Sequence, residues 1–548
     1  MNRSVKMLYG GRTLAAANAS TRWFCVIAAL GITLDVGVAV SMSPTTDEGL
    51  HIEYGYNILH FHPDRMWPGH SGPFNSQMPI SALNAIPRAL ASRLEVARLP
   101  SRLRNFLRNV RTARWATLAA AACLNLFIFL WTRELFDVSA AIAASFLFTL
   151  SPNLIAHGTL ATTDMYFALG VIASLYFFRR YLLRPTLGNA CLGASILALA
   201  QITKPFAIFL YPIAGAFLLF SFIKLDRHDS ASRNRSAIFA GLAILFFFAV
   251  ISTAYSYDRF LTPLRAYRFE STTFTHLQQV PVLRQLPMPF PYAFLQGLDM
   301  MVHDERTGST FGDIYLLGEL RDPGTPGSRP FKSYYATLFL FKEPIPLQIL
   351  FVWGLVCVWK RRGHRASHSG EVMLLAAAVF LTIWLSVFSK AQIGIRHILP
   401  VLAIELIFAA VPFSAFASKP LGMKTLLGGF VLWLALSVAS YYPHMIPYMN
   451  ELVWDRKMAY RIAADSNLCW GQNASAVSRF LKANPDVVLD PQEPTSGRIL
   501  VNINSLTGVN RWYPVRWVTA RGLRPVAHVK YGHLLFVVPP EAGRPYSQ

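Results

Sequence analysis

Cysteine is scarce in this sequence, with five among 548 residues. Four of them, Cys25, Cys123, Cys191 and Cys357, lie in or beside apolar segments, and the spacing fits neither a disulfide framework nor a metal site. Acidic residues are also few, 29 against 51 Lys and Arg. Nucleic-acid-binding proteins gather such a surplus on one soluble face, whereas here the basic residues separate apolar runs. The sequence therefore predicts neither a disulfide scaffold nor a nucleic-acid partner.

Charge of either sign is low, and apolar residues dominate. Charged residues make up 15% of the chain and hydrophobic residues 53%, and the mean hydropathy is +0.36. A span across the ~30 Å hydrocarbon core of a bilayer needs about 20 mostly apolar residues. About eleven segments approach this length: 23–42, 113–131, 138–156, 160–179, 187–203, 205–223, 237–256, 336–359, 371–389, 396–417 and 423–441. The composition thus predicts an all-α polytopic membrane protein.

The first apolar segment, 23–42, is longer than the core of a secretion signal, and no small-residue cleavage site follows Ser41. We therefore expect an uncleaved span. Basic residues cluster in the loops near 133, 179–184, 224–235, 360–365 and 419–424, all on the side of the N-terminus. This pattern predicts a cytoplasmic N-terminus. Residues 88–114 carry many arginines on the opposite side, in a loop of the length at which the rule weakens.

This topology predicts a transmembrane part, 1–441, with outer segments 43–112 and 257–335, and an outer tail, 442–548. Stretches 89–99 and 103–110 alternate apolar and basic residues, which predicts amphipathic helices lying in the membrane interface. The sequence PMPFPY at 287–292 resists regular structure. In the tail, RILVNINSL and HLLFVVPP predict strands of a small α/β unit.

The unusual polar clusters map to the outer ends of the predicted spans. Ionisable groups beside apolar spans are costly, so each is a candidate for function. The candidates are Asp47, Glu48 and His51 after the first span, Asp164 at the start of the fourth, Lys204 after the fifth, Arg396 and His397 at the start of the tenth, and Asp465, Asn467, Trp470 and Gln472 in the tail.

Two interpretations of the acids stay open. A carboxylate at the membrane surface, such as Asp47, can accept a proton from a hydroxyl or amine, or can hold a divalent cation. Alternatively, Asp47 and Asp164 only cap the helices that follow them. The cations Lys204 and Arg396 suit an anionic phosphate if they lie opposite carboxylates, although Lys204 could simply extend its amine to the membrane surface.

Several motifs contain these residues: TTDEGLH, SPNLIAHGTLATTDMYF, LAQITKPF, FPYAFLQGLD, YLLGE, IGIRHILPV, YYPHMIPYMNEL and ADSNLCWGQN. In this order they resemble the bacterial protein O-mannosyltransferase-like glycosyltransferases, which use polyprenyl-phosphate sugars and adopt the GT-C membrane fold. The resemblance runs from about residue 40 to about residue 475. It implies an inverting transferase in a bacterial inner membrane, with a periplasmic C-terminal domain and site. The acceptor would be a protein, lipid or glycan.

The same match implies roles for the candidates. Asp47 would activate the acceptor, and Glu48 and Asp164 would line the acceptor or metal site. Lys204, Arg396 and His397 would hold the donor phosphate. His51, Asp465, Asn467, Trp470 and Gln472 would belong to an acceptor or tail site, and a divalent cation, if present, would bind Asp47, Glu48 and His51.

One position departs from the family pattern. Relatives often show DSNLDWGQ, whereas this chain has Cys469 in place of that Asp. The departure implies a different substrate or a role shifted to another residue, and Cys469 itself could act as a thiolate ligand.

Two other functions stay open. A secondary transporter also combines many spans with sparse charges, but transporters place their sites near the midplane, often between repeated halves, and this sequence shows no repeat. A relative that binds a lipid-linked sugar without catalysis would explain the replacement at Cys469.

The predicted sidedness can be measured by cysteine labelling in intact cells. A cysteine at position 47, or in the tail, should react with a membrane-impermeant maleimide added from outside. A cysteine in the loop at 179–184 should react only after the cells are opened. Labelling of position 47 only from the cytoplasm would overturn the topology.

Overall fold

The computed structural model describes residues 3–65, 76–96, 100–224, 230–308, 312–361, 369–510 and 515–542. These residues are mostly helical. The helices are α1 (Arg3–Ser41), α2 (Glu48–Leu59), α3 (Ala82–Val96), α4 (Ser101–Arg108), α5 (Val110–Leu135), α6 (Val138–Thr149), α7 (Pro152–Gly158), α8 (Asp164–Leu183), α9 (Leu187–Ala200), α10 (Leu210–Lys224), α11 (Ser230–Ala254), α12 (Thr272–Gln279), α13 (Pro281–Arg284), α14 (Tyr292–Thr307), α15 (Tyr334–Lys342), α16 (Ile345–Lys360), α17 (Ser369–Val387), α18 (Leu399–Ala409), α19 (Leu421–Ala439), α20 (Ala474–Ala483), α21 (Ile503–Thr507) and α22 (Trp517–Ala520).

The predicted multi-pass architecture is confirmed. In the described residues, seven helical stretches are long and apolar enough to cross a membrane, or up to nine if each of two bent helix pairs is one span. The other two predicted spans, 187–203 and 205–223, correspond to the shorter apolar helices Leu187–Ala200 and Pro205–Phe220.

Proline explains both bent pairs. Helices α6 and α7 meet at 64°, and α15 and α16 meet at 112°. The residue before each proline is extended: Ser151 before Pro152 has ψ 110°, and Glu343 before Pro344 has ψ 136°. Proline clashes with a helical conformation of the preceding residue, so each helix ends there and the next begins in a new direction.

The predicted helices of the first outer segment are present as α3 and α4. In the second outer segment, residues 287–291 lie outside helices, as expected, but α14 begins directly afterwards at Tyr292. A short antiparallel hairpin follows, formed by β1 (Ile314–Leu316) and β2 (Glu319–Arg321).

The tail contains a four-stranded sheet of order β3-β4-β6-β5, with β3 (Val488–Leu489), β4 (Gly497–Asn502), β5 (Ala527–Val529) and β6 (His533–Val538). Its two faces pack differently, because side chains alternate along a strand. Ile499 and Val501 join the core that includes the apolar helices, whereas Leu500 packs in a smaller cluster beside α20. The predicted strands correspond to β4 and β6. The second half of RILVNINSL is instead helix α21, because the Asn502 side chain accepts a hydrogen bond from the Asn504 N–H and caps it. The domain boundary at 442 stays a prediction.

A buried ion pair ties the first outer segment to the helices. Arg114, near the start of α5, donates to both carboxylate oxygens of Glu48 at 2.7 Å, and both side chains are 0% exposed. Arg114 also donates to the carbonyls of Ala39, Met42 and Ser43. These contacts satisfy carbonyls at the C-terminal end of α1, which the helix itself leaves without partners.

The Glu48 carboxylate completes this junction. It accepts hydrogen bonds from the N–H groups of Thr45 at 2.8 Å and Ala161 at 2.9 Å. One carboxylate therefore holds together the end of α1, the start of α2, the start of α5 and the turn before α8.

Breaking this pair should destabilise the protein strongly. Arg114→Met leaves the Glu48 carboxylate buried without its charge partner, a change that typically costs about 3–5 kcal/mol. We expect a much lower thermal unfolding midpoint in detergent for Arg114→Met than for Arg111→Met, which changes an exposed arginine of the same helix. The double variant Glu48→Gln, Arg114→Met should recover part of the loss. Equal midpoints for the two single variants would contradict this interpretation.

Candidate active site

Four ionised side chains from distant parts of the chain form one network. The Lys204 Nζ contacts the Asp164 carboxylate. The Arg396 Nη1 lies 3.1 Å from the Asp47 Oδ2 and 3.8 Å from the Asp164 Oδ2. The order is therefore Lys204, Asp164, Arg396, Asp47, and we call this chain of contacts the ion network. The network joins the segment after α1, the first residue of α8, the segment after α9 and the turn before α18.

Local backbone geometry directs Lys204 and Asp164 towards each other. Lys204 is extended, with φ −155° and ψ 147°, because Pro205 follows it. Asp164 is the first residue of α8, after the N-cap Thr163. Its Oδ2 also accepts a hydrogen bond from Thr162 at 3.0 Å.

Arg396 is positioned by a glycine and by the tail. Gly394 has φ +133°, a conformation that side chains other than hydrogen rarely permit, and a Cβ there would lie 2.5 Å from the Ser466 Oγ. The Ile395 N–H donates to the Asn467 Oδ1 at 3.1 Å. The segment 463–472 of the tail therefore fixes the turn from which Arg396 extends.

The capping alternative does not describe Asp47. Asp47 precedes α2, but its side chain forms no capping hydrogen bond. Its carboxylate instead contacts Arg396 and is 29% exposed. For α8, the N-cap residue is Thr163 rather than Asp164. Both acids therefore direct their side chains to the ion network.

Two cavities adjoin the ion network. The outer cavity has a volume of about 460 Å³, and its lining includes Asp47, His51, Arg396, Asp465 and Trp470. The inner cavity, about 50 Å³, is lined by Asp164, Lys204, Glu305, His397 and others, and it shares His51 and Arg396 with the outer cavity. Arg396 thus lies between the two cavities, with its guanidinium 4.1 Å from the centre of the Trp470 ring.

Several polar atoms at this junction have no hydrogen-bond partner among the described residues: Arg396 Nε, His51 Nδ1 and His397 Nδ1. Buried polar atoms of proteins are normally paired, so these atoms are available to a polar ligand. Burial lowers the pKa of His51 below its ordinary value, so its ring is neutral at neutral pH and can accept a hydrogen bond.

The tail residues divide into two groups. Asp465 and Trp470 line the outer cavity. Asp465 has φ +56°, and burial raises its pKa to about 6. Asn467 and Gln472 do not line either cavity. Asn467 holds the turn before Arg396, and Gln472 bonds to the backbone of its own segment.

Glu48 is not placed as the sequence suggested. It does not line either cavity, and its oxygens accept from Arg114, Thr45 and Ala161. The cation site suggested for Asp47, Glu48 and His51 therefore does not fit, because Glu48 would have to leave Arg114. In the described part of the chain, no group of three or more His, Cys, Asp or Glu residues could hold a metal ion.

Asp164 also differs from expectation. The sequence suggested acids facing an acceptor and cations facing a phosphate. Asp164 instead lies between Lys204 and Arg396, with only 2% of its side chain exposed. It is therefore a counter-ion of the two cations.

Residues 97–257 match the family model of dolichyl-phosphate-mannose-protein mannosyltransferases. The matched segment contains Asp164 and Lys204. Over this segment the chain resembles mannosyltransferases named for a lipid-phosphate sugar, as its motifs predicted. No sequence among the curated proteins matches the chain.

Solved structures that are similar to this one include three glycosyltransferase structures. The apo oligosaccharyltransferase of Archaeoglobus fulgidus is 15% identical, with a TM-score of 0.48, over 77% of this chain and 55% of that chain. ArnT from Cupriavidus metallidurans, bound to undecaprenyl phosphate, is 12% identical, with a TM-score of 0.47, over 96% of this chain and 99% of that chain. AglB from Archaeoglobus fulgidus, in complex with an inhibitory peptide and a dolichol-phosphate, is 15% identical, with a TM-score of 0.45, over 76% of this chain and 54% of that chain. The chain spans about half the length of the archaeal enzymes.

Sequence reasoning missed three asparagines and one acid of the cavities. Asn502, Asn504 and Asn510 line the outer cavity, and Glu305 of α14 lines the inner one. Asn502 and Asn504 were visible as NIN at the end of a predicted strand, where polar residues follow a buried run. Glu305 carried no such signal, because it lies within a polar stretch, HDER.

Cys469 lines the outer cavity, but its environment disfavours a thiolate. Burial raises the pKa of its thiol to about 11, and the Asn502 Nδ2 donates a weak hydrogen bond to its Sγ at 3.5 Å. At neutral pH the group is therefore a neutral thiol.

We expect Cys469 in the folded protein to alkylate about a hundredfold more slowly than an ordinary thiol, because a pKa two units higher lowers the thiolate fraction by that factor. Peptide-resolved mass spectrometry after iodoacetamide treatment measures this rate, with Cys469 in the same protein unfolded by denaturant as the reference for an ordinary thiol. Rapid alkylation of Cys469 would instead indicate a stabilised thiolate.

Proposed function

We propose that this protein is an inverting glycosyltransferase. It transfers a sugar from a polyprenyl-phosphate donor to an acceptor at the periplasmic face of a bacterial inner membrane. The observation that carries the proposal is the ion network, which places a partly exposed carboxylate and two buried cations at the junction of two cavities. The family match of residues 97–257 supports the same reaction class.

Asp47 is the proposed general base. Its carboxylate faces the outer cavity, where an acceptor can approach, and Arg396 orients it at 3.1 Å. The acceptor hydroxyl or amine transfers its proton to Asp47 while its heteroatom attacks the anomeric carbon. Attack from the side opposite the phosphate inverts the configuration of that carbon.

Lys204 and Arg396 are the proposed phosphate-binding residues. As the glycosidic bond to phosphate breaks, negative charge grows on the leaving phosphate, and fixed cations beside it stabilise the transition state. Both cations line the inner cavity, and His397 lies beside them. A phosphate leaves without protonation by a second acid, unlike the alcohol that a glycosidase releases.

Asp164 has a supporting role in this scheme. It neutralises Lys204 and Arg396 while the donor is absent, since two buried cations without counter-ions would repel each other and lose hydration. The donor phosphate then shares the two cations with Asp164. Glu48 lines neither cavity, and its proposed role is structural. Its bonds to Arg114 and Thr45 fix the start of α2, directly after Asp47.

The outer cavity is the proposed acceptor site. Its volume lies within the range of about 300–1,000 Å³ that is typical of ligand pockets. Asp465, Trp470 and the three asparagines line it. Carboxylate and carboxamide groups bind hydroxyls and amines, which fits an acceptor nucleophile of either kind.

Replacing the base should abolish the reaction. With purified protein, a polyprenyl-phosphate sugar and an envelope acceptor fraction, Asp47→Asn should reduce release of the polyprenyl phosphate by about 10²–10⁴-fold, the usual contribution of a general base. Asp64→Asn is the matched control, because Asp64 is an exposed acid of the same outer segment. Thermal unfolding should be similar in all three proteins.

Full turnover in Asp47→Asn would exclude Asp47 as the base. If the wild-type protein binds the donor but releases no polyprenyl phosphate with any acceptor fraction, it is a non-catalytic binding protein. If it moves the intact donor across a vesicle membrane, it is a transporter.

A further inference from the structure

Glu305 is an acid of the inner cavity that the proposed mechanism does not use. It lies in α14 and is partly buried, and it lines the cavity together with Asp164, Lys204, Arg396 and His397. Its Oε1 accepts from the Ser389 hydroxyl at 3.0 Å, and its Oε2 accepts from the Lys390 N–H at 2.9 Å. In the described part of the chain, no Lys or Arg side chain forms an ion pair with it.

The charge balance of the site makes this acid significant. The two cations of the ion network are already balanced by the carboxylates of Asp47 and Asp164. A polyprenyl-phosphate sugar is a phosphodiester and brings one further negative charge. An ionised Glu305 on the wall of the same cavity would add another, and like charges in a poorly hydrated cavity repel strongly.

We propose that Glu305 is a proton-binding residue of the donor site, which must be uncharged for the anionic phosphate to bind. In that form the carboxyl O–H can donate a hydrogen bond into the inner cavity. The proton comes from water before or during donor binding. This inference rests on the proposed function, because it takes the inner cavity to be the phosphate site.

The environment of Glu305 allows both the protonated and the ionised form of its carboxyl group near neutral pH. Burial raises its pKa to about 7, while the hydrogen bonds from Ser389 and Lys390 act in the opposite direction. The charged and titratable groups around it are Asp304 on its own helix, Lys390, Arg396 and His397 after α17, Asp164 on α8, Lys204 before Pro205, His51 on α2 and Tyr335 on α15. The Lys390 ammonium donates to the Pro323 carbonyl at 3.0 Å rather than to Glu305.

The test measures binding of a polyprenyl methyl phosphodiester, which carries one negative charge throughout the pH range and so does not titrate itself. For the wild-type protein, we expect the Kd to rise about thirtyfold between about pH 6 and about pH 8.5, because the uncharged fraction of a carboxyl group with a pKa of about 7 falls by that factor. Glu305→Gln should bind tightly and independently of pH. Glu319→Gln, which removes an exposed acid of the same outer segment, should follow the wild type.

A second variant distinguishes an effect of the Glu305 charge from a structural effect on the segment around Ser389. Ser389→Ala removes a donor that stabilises the ionised carboxylate, so the pH at which affinity falls should move upwards. A purely structural role of Glu305 would not produce a shift in that direction. An unshifted pH profile in Ser389→Ala, or the wild-type slope in Glu305→Gln, would overturn the inference. Absence of phosphodiester binding at every pH would instead contradict the proposed function itself.

Discussion

Arg114 forms five hydrogen bonds, and each acceptor lies in a segment that leads to the ion network. A guanidinium can be buried completely only if its N–H groups are satisfied and its charge is balanced. The Glu48 carboxylate balances the charge of Arg114, and the carbonyls at the end of α1 accept its remaining hydrogen bonds. This requirement fixes where α1 ends and where α2 begins. The position of Asp47 at the edge of the outer cavity follows from it.

The ion network must also balance its buried charges, but it is not completely buried. Lys204, Asp164 and Arg396 are almost fully buried, whereas Asp47 remains partly exposed. A network that was completely buried and completely paired would have no capacity for a substrate. Here the nitrogens of Arg396, His51 and His397 that have no hydrogen-bond partner within the described residues, together with the two cavities, leave room for a further anion and a nucleophile.

The tail contributes to the site as well as to the fold. One face of its sheet packs in the core shared with the helices. Asn467 holds the turn before Arg396, and the Asn504 carboxamide accepts from the Asp465 N–H at 2.8 Å and donates to the Cys469 carbonyl at 2.9 Å. The segment from Asp465 to Cys469 is therefore held at both ends by one side chain. The neutral Cys469 thiol adds no charge to the outer cavity.

The sequence by itself determined the spans, most of the tail strands and the general location of the polar groups, because hydropathy and side-chain alternation act locally along the chain. His51 follows Asp47 by four residues, a spacing that places both on one helical face, and both line the outer cavity. Only the tertiary structure decided which charge meets which. Asp47 and Glu48 are neighbours, but successive side chains on a helix diverge by about 100°, so one faces the cavity and the other faces Arg114. Asp47 finds its cation in Arg396, 349 positions later in the chain, and contacts at such separations depend on the packing of many helices rather than on any local pattern.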